Sequence, residues 1–330
     1  MYDVVLFEGD GIGPEITKEV VRIIEATGVK INYHPYLLGE NAYNKLGVLL
    51  PDEAIEAVKK YKVALKAPVT TPVGKGFRSV NVGLRLALDL YINLRPSMSF
   101  PNTLGRFDNV NLVIFRENTE DLYIGREHEI EGGFEAIKLI TEKASRRIIK
   151  AAFDYAVKNN RKKVTCVHKA NILKKTDGLF LRLFNEIKED YPSIIADDKI
   201  IDNMCMQMVM YPDSYDCIVT PNLYGDILSD LAAGLTGGLG LVPGANIGDE
   251  AAVFEAVHGS APDIKGLGIA NPIALLLSGC MMLDHLGEKV SADKIRNAVY
   301  KTLEDGKILT RDLGGTATTK EIADAIINNL

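Results

Sequence analysis

The chain has 330 residues, 47% of them apolar and 25% charged, with a formal net charge of -6 at pH 7. That is ordinary globular composition with enough chain for two linked cores, and the acidic balance argues against nucleic-acid binding, because it exerts no long-range pull on phosphate backbones. An anionic small substrate therefore needs a local cluster of Arg and Lys. Strand-like and helix-like segments alternate, which predicts an α/β protein. Asp3 to Phe7 predicts a strand, Gly9 to Pro14 a turn, and Glu15 to Ala26 a helix, with Pro14 suited to its first turn. A helix over Pro51 to Lys60 and a strand over Lys62 to Lys66 follow. Asn111 to Phe115 predicts another strand. Leu122 to Ile137, rich in charge and glycine, predicts a strand-and-turn excursion. Next come a long helix over Glu142 to Asn159, a strand over Lys163 to Val167, a strand over Tyr215 to Thr220, and a helix from near Tyr224. Helices over Ala292 to Glu304 and Thr319 to Asn328 close the chain. No repeat or low-complexity linker separates these elements.

The longest apolar run, Ile273 to Leu283, is too short to cross a bilayer, so no membrane partner is expected. The four cysteines, Cys166, Cys205, Cys217 and Cys280, form no CxxC pair and lie in apolar stretches. They read as buried free thiols of a reducing aqueous compartment, the cytoplasm. The basic runs Arg161-Lys162-Lys163 and Lys174-Lys175 read as solvated faces. Gly9-x-Gly11-x-Gly13 is not a dinucleotide fingerprint. That motif needs G-x-G-x-x-G and an acidic residue about 20 positions later. Here Asp10 lies inside the turn and Pro14 follows it, and a tight strand-to-helix turn accounts for the glycines.

Four groups carry the chemistry. In Asn222-Leu223-Tyr224-Gly225-Asp226-Ile227-Leu228-Ser229-Asp230, the two acids are four residues apart, so on a helix both carboxylates face one way. Like charges at that spacing repel, and a divalent cation such as Mg²⁺ or Mn²⁺ would compensate them. Two exposed acids on a solvated face are the alternative. Asp202 is a candidate third ligand. Second, Arg78-Ser79-x-Asn81 leads to Arg85, followed by Arg95 and Arg116. Arg85 and Arg95 sit in otherwise apolar stretches. Guanidinium groups with a hydroxyl and an amide suit a polycarboxylate, whereas separate surface ion pairs are the alternative. Third, Tyr123 and Lys169 are candidates for proton transfer, the lysine following a strand end. Fourth, His258-Gly259-Ser260-Ala261-Pro262-Asp263-Ile264 and Asn271-Pro272 form a polar loop in which His258, Asp263 and Asn271 suit a nucleoside.

At these residues the chain resembles the isocitrate and isopropylmalate dehydrogenase family. The similarity runs in order through Gly9 to Glu15, Thr70 to Gly76, Asp89 to Pro96, Phe115 to Gly125, Val167 to Ile172, Asn222 to Asp230, Gly237 to Gly248 and His258 to Pro272. The resemblance implies a two-domain α/β fold without the Rossmann fingerprint. Residues 1-94 and 250-330 would form the large domain. Residues 95-249 would form the small one, with a clasp near 122-137. It also implies a homodimer with shared active sites. Asp226 and Asp230 would hold the metal with Asp202 of the neighbouring chain, and Arg85, Arg95 and Arg116 would grip substrate carboxylates. Tyr123 and Lys169 of the second chain would handle protons, with Asp202 counted among the catalytic groups. The nucleotide, NAD, would lie on Thr70, Thr71, Pro72, Asn222, Glu255, His258, Gly259, Asp263, Ile264 and Asn271. Members that use NADP resemble one another in carrying Lys-Tyr where this chain has Asp263-Ile264.

Within the family, Ser79 and Asn81 resemble the isocitrate enzymes, which implies NAD-dependent oxidative decarboxylation of isocitrate to 2-oxoglutarate. Homoisocitrate and 3-isopropylmalate are the alternative substrates. A non-catalytic subunit or a carboxylate-binding protein are readings of other classes. The presence of Tyr123, Lys169, Asp202, Asp226 and Asp230 favours an active enzyme.

Overall fold

The computed structural model describes residues 1–71 and 79–330. The expected site positions Pro72 and Arg78 lie outside the described residues. In chain order the strands are β1 (Tyr2–Phe7), β2 (Ile31–Pro35), β3 (Val63–Lys66), β4 (Ile92–Met98), β5 (Asn111–Glu117), β6 (Glu127–Ile130), β7 (Gly133–Ala136), β8 (Lys163–His168), β9 (Ile195–Ile200), β10 (Cys217–Thr220), β11 (Pro243–Ile247) and β12 (Ala252–Ala256). The helices are α1 (Gly13–Ala26), α2 (Glu40–Leu46), α3 (Asp52–Tyr61), α4 (Val80–Ala87), α5 (Glu142–Lys158), α6 (Thr176–Ile187), α7 (Ile201–Met210), α8 (Asn222–Thr236), α9 (Ile273–His285), α10 (Lys289–Asp305) and α11 (Thr319–Asn328).

These elements form two compact units, one of Met1–Leu88, Ser99–Asp108 and Ala233–Leu330, the other of Asp89–Met98 and Asn109–Ala232. The boundaries differ from the expected cuts at 94/95 and 249/250. A cut after residue 94 would split β4, which pairs with β5 from Ile92↔Glu117 to Met98↔Asn111. Residues 243–247 belong with the first unit because β11 pairs with β12. Asn102 joins that unit by donating to the Leu303 and Glu304 carbonyls at 3.0 and 2.8 Å.

In the first unit the strand order is β2-β1-β3-β12-β11, parallel except for the β12–β11 pair. The run Val4-Val5-Leu6-Phe7 is buried throughout, as a parallel strand covered on both faces should be. Helix α1 begins with Pro14 in its first turn and buries Ile16, Val20, Ile23 and Ile24, one face of a 3.6-residue period. The apolar run Ile273 to Leu283 is α9, apolar all round and buried against β11 and β12. Among the described residues no helix is long and apolar enough to cross a membrane.

In the second unit the order is β4-β5-β10-β8-β9, parallel except for the β4–β5 pair. Helix α5 buries Ile148, Ile149, Ala152 and Phe153 against it. The expected excursion is a single-turn helix, Leu122–Ile124, followed by the antiparallel hairpin β6–β7, with Phe134 77% exposed. All four cysteines are free, but Cys205 on α7 is only half-buried, which corrects the expectation that every thiol is buried.

In both units polar side chains stand at the C-terminal ends of strands. Lys66 ends β3, Arg116 and Glu117 end β5, His168 ends β8, and Thr220 ends β10. Ligand sites of open α/β sheets lie at that edge.

Candidate active site

In the second unit, β5, the 122–124 turn and α8 meet at one carboxylate. The Arg116 guanidinium, on a side chain only 1% exposed, contacts Asp226 Oδ1, and its Nε donates to Asn222 Oδ1 at 2.8 Å. The Tyr123 hydroxyl donates to Asp226 Oδ2 at 2.5 Å. Gly225 makes this approach possible, because a Cβ there would lie 2.5 Å from Arg116 Cβ and Cγ. Arg95, also buried, donates from Nε to Asn93 Oδ1 at 2.7 Å and from Nη1 to Ser229 Oγ at 3.2 Å, next to Asp230 on α8. Thus Arg95, Arg116, Tyr123, Asp226 and Asp230 come together. Asn222, expected at the nucleotide, instead uses both ends of its amide inside this unit. Its Nδ2 donates to the Glu120 carbonyl at 3.1 Å while its Oδ1 orients Arg116.

Asp226 and Asp230 present hard oxygen donors from one helix face, which suits Mg²⁺ or Mn²⁺. Partial burial pushes the Asp230 carboxyl pKa up and the like charge of Asp226 adds to this, against the pull of Arg95 and Arg116. A cation would relieve that repulsion, so the pair fits the group. Among the described residues no third acid, histidine or cysteine of the same chain joins the pair.

Asp202 pairs with Lys169 instead. The Lys169 ammonium contacts Asp202 Oδ1 and holds that carboxyl pKa below its usual value. The Lys169 backbone N–H donates to buried Asp177 at 2.7 Å. One chain therefore carries two clusters, Arg95–Arg116–Tyr123–Asp226–Asp230 and Lys169–Asp202.

The first unit holds the other substrate candidates. Arg85, 8% exposed, donates from Nη2 to Glu255 Oε1 at 3.2 Å, while its buried Nε has no hydrogen-bond partner among the described residues. Glu255 also contacts Lys66 and accepts from Asn246 Nδ2 at 2.6 Å. Burial raises the Glu255 pKa, but Lys66 and Arg85 outweigh it and hold the carboxyl well below the usual carboxylate range. Ser79 caps α4 by accepting from the Val82 N–H, so its hydroxyl has a structural partner. Asn81 Oδ1 is buried without one among the described residues.

The expected nucleotide segments of this unit follow β3 and β12. Asp10, which the sequence reading did not single out, organises them. Its Oδ2 accepts the Glu40 and Thr70 N–H groups at 2.9 and 2.8 Å, and its Oδ1 accepts that of Asn41 at 2.8 Å. Gly11 packs so tightly on the Ser260 carbonyl that a Cβ would lie 1.9 Å from it. The Thr70 and Ser260 hydroxyls pair at 2.7 Å, and Thr71 Oγ1 accepts from the first N–H of α4 at 3.2 Å. The glycine turn thus ties the loops together by close backbone approach. Nothing in residues 9–13 signals that role locally, because every partner is distant in sequence. His258 Nε2 is buried and unpartnered among the described residues, and burial lowers the imidazole pKa, leaving it neutral at pH 7. Gly259 beside it is exposed. Asn271 donates to Asp312 Oδ2 at 2.9 Å and accepts the Ile273 N–H at 3.0 Å, bracing the start of α9. Asp263 and Ile264 lie on the short turn Pro262–Ile264.

Residues 3–326 match the family model described as isocitrate/isopropylmalate dehydrogenase. The chain is 49% identical over 327 residues to the mitochondrial NAD-type isocitrate dehydrogenase catalytic subunit 5 of Arabidopsis thaliana, covering 98% of this chain and 87% of that protein. It is also 49% identical, over 305 residues, to the chloroplastic 3-isopropylmalate dehydrogenase of Solanum tuberosum, covering 92% of this chain and 85% of that protein. The crystal structure of isocitrate dehydrogenase from Methylococcus capsulatus is 52% identical and superposes with a TM-score of 0.96, covering 100% of this chain and 99% of that one.

Proposed function

The chain belongs to the isocitrate/isopropylmalate dehydrogenase family, and from that premise we propose that it oxidatively decarboxylates isocitrate to 2-oxoglutarate, with NAD and Mg²⁺ or Mn²⁺, as a homodimer. The observation that carries the reading is the direct contact of Tyr123, Asp226 and Arg116 at the C-terminal edge of β5 and β10. It joins a protonated phenol, a cation for a substrate carboxylate and a metal-ligand acid. When bound, NAD would supply the hydride acceptor, and a divalent cation held by Asp226 and Asp230 would supply a Lewis acid for the carbonyl.

The chain's own residues do the rest. Arg85, Arg95 and Arg116 hold the substrate carboxylates, and the Arg85 Nε, without a partner among the described residues, supports that role. Lys169, acting as the neutral amine, takes the hydroxyl proton. Tyr123 returns a proton to the carbon that loses CO₂. In this reading the active site is shared between two chains, with the Lys169–Asp202 pair coming from the second and Asp202 as its metal ligand. Isocitrate is favoured over isopropylmalate by Asn81, whose buried amide oxygen lacks a partner among the described residues. An amide can turn its N–H₂ towards a third carboxylate, whereas an isopropyl group would leave it unpaired. The free thiols suit a reducing compartment, for which the cytoplasm is our reading.

The test is a spectrophotometric panel of isocitrate, homoisocitrate and 3-isopropylmalate, with NAD and NADP, with and without EDTA. Isocitrate with NAD and added metal should give the highest kcat/KM. A higher value for either other acid overturns the substrate assignment. Undiminished turnover in EDTA overturns the metal.

A further inference from the structure

Asp121 is fully buried and holds φ 73° and ψ -150°, a backbone conformation that side chains other than glycine rarely adopt. Such a residue persists only where its surroundings over-determine it. Here the two carboxylate oxygens serve two different elements. Oδ1 accepts the N–H of Leu122 at 2.8 Å, the first residue of the turn that carries Tyr123. Oδ2 accepts the N–H of Leu223 at 2.9 Å, in the first turn of α8, three residues before Asp226. The Asp121 N–H donates to the Leu139 carbonyl at 2.8 Å, which anchors the residue itself. A carboxylate in this place satisfies amides that have no partner within their own elements, and it faces the positive end of α8.

The counter-charge is Lys138. Its Nζ lies 3.9 Å from Asp121 Oδ1 and 2.6 Å from Asp177 Oδ1, over the Tyr224 ring at 4.1 Å. Asp177 in turn accepts the Lys169 N–H. A buried acid–base–acid chain therefore touches the backbone beside Tyr123, the start of the helix that carries Asp226, and Lys169.

We infer that Asp121, balanced by Lys138, is a positioning residue that sets the Tyr123 phenol against the Asp226 carboxylate. The inference rests on the functional reading in which Tyr123 transfers a proton. Asn at 121 would keep the size and tolerate the positive φ, but its N–H₂ would face one of the two backbone donors. One element would then lose its anchor.

The experiment is a double-mutant cycle with isocitrate, NAD and Mg²⁺ on the whole enzyme. Asp121→Asn should lower kcat about 10- to 100-fold, the scale of a small misplacement of reacting groups. In the Tyr123→Phe background the same change should cost no more than about threefold, because the group it positions is already gone. Lys138→Met should behave likewise and Lys138→Arg should restore most of the activity. If Asp121→Asn does not fold, Lys138→Met carries the cycle. An equal loss in both backgrounds overturns the inference, since it would mark a general structural role. Wild-type turnover by Tyr123→Phe alone overturns the functional reading beneath it, and the inference falls with that reading.

Discussion

The Tyr123 hydroxyl donates to Asp226 Oδ2 at 2.5 Å, while the other oxygen of that carboxylate meets the Arg116 guanidinium. Burial pushes the phenol pKa up, and the bond to Asp226 adds to this against the opposing charge of Arg116. Tyr123 therefore keeps its proton at neutral pH, as a general acid must. Tyr123→Phe and Lys169→Met should fold normally and lose turnover by about two to four orders of magnitude. The Tyr123 variant should still reduce oxalosuccinate while failing to decarboxylate it efficiently. Circular dichroism and steady-state rates on both substrates check this. Near wild-type turnover by both variants would return these residues to structural roles.

Gly225 gives a prediction about space. Ala in place of Gly in a helix interior ordinarily stabilises by roughly 0.5–1 kcal/mol. Here the added Cβ would lie 2.5 Å from Arg116 Cβ and Cγ and 3.1 Å from its Cα, and Arg116 is enclosed. Gly225→Ala should thus leave the fold intact, shift the guanidinium off Asp226 and lower kcat/KM about 10- to 100-fold. A thermal scan beside the kinetics separates the two effects. Unchanged kcat/KM would show that Arg116 gives way at no cost to the site.

Glu120 supplies a pH dependence. Burial pushes its carboxyl up to about 7 and the like charge of Glu117 adds to this, although Thr141 donates to it from N at 2.8 Å and from Oγ1 at 2.7 Å. Between the ordinary 4.5 and about 7 the folded chain holds a proton that the unfolded chain releases, so stability falls as pH rises through that window. Gln in its place can accept from the Thr141 N–H and donate to its hydroxyl without ionising. Glu120→Gln should flatten the decline of Tm from about pH 5 to about pH 8, by on the order of a few degrees. Parallel Tm curves for the two proteins would refute this.

What was legible in the sequence was local. Continuous apolar runs marked β1 and β5, a 3.6-residue period marked α1 and α5, and the spacing of Asp226 and Asp230 marked a shared helix face. Arg85 and Arg95 stood out as charges in apolar stretches, and both are buried. Roles made by partners far along the chain left no such mark. Asp10 gathers amides from residues 40, 41 and 70, and Asp121 reaches residue 223. The edge strands β2 and β9 escaped notice because Ile31–Pro35 and Ile195–Ile200 carry polar and half-exposed residues with no clean alternation. The boundaries implied by the resemblance differ from the compact units at residues 89–94, 99–108 and 233–249, where strand pairing keeps 92–98 in one strand and joins 243–247 to β12.

Cofactor choice turns on Asp263. The residue is exposed on the turn Pro262–Ile264, and its carboxylate makes no hydrogen bond or ion pair among the described residues. Capping a turn is a common task for Asp. Here no side chain caps the turn, which closes through the Lys265 N–H and the Pro262 carbonyl. The carboxylate is therefore free to accept hydrogen bonds from the ribose 2′- and 3′-hydroxyls of NAD, and it would repel a 2′-phosphate bearing nearly two negative charges. Repulsion near a surface amounts to a few kcal/mol, so a preference for NAD of roughly a hundredfold in kcat/KM is expected. Replacing the acid with a cation reverses the sign of that interaction, and an aromatic neighbour would support the nucleotide. The variant Asp263→Lys, Ile264→Tyr should thus lose efficiency with NAD and gain it with NADP. Paired kcat/KM values for both nucleotides in both proteins decide the matter. A wild-type preference for NADP, or no movement towards NADP in the variant, would remove Asp263 from the nucleotide site.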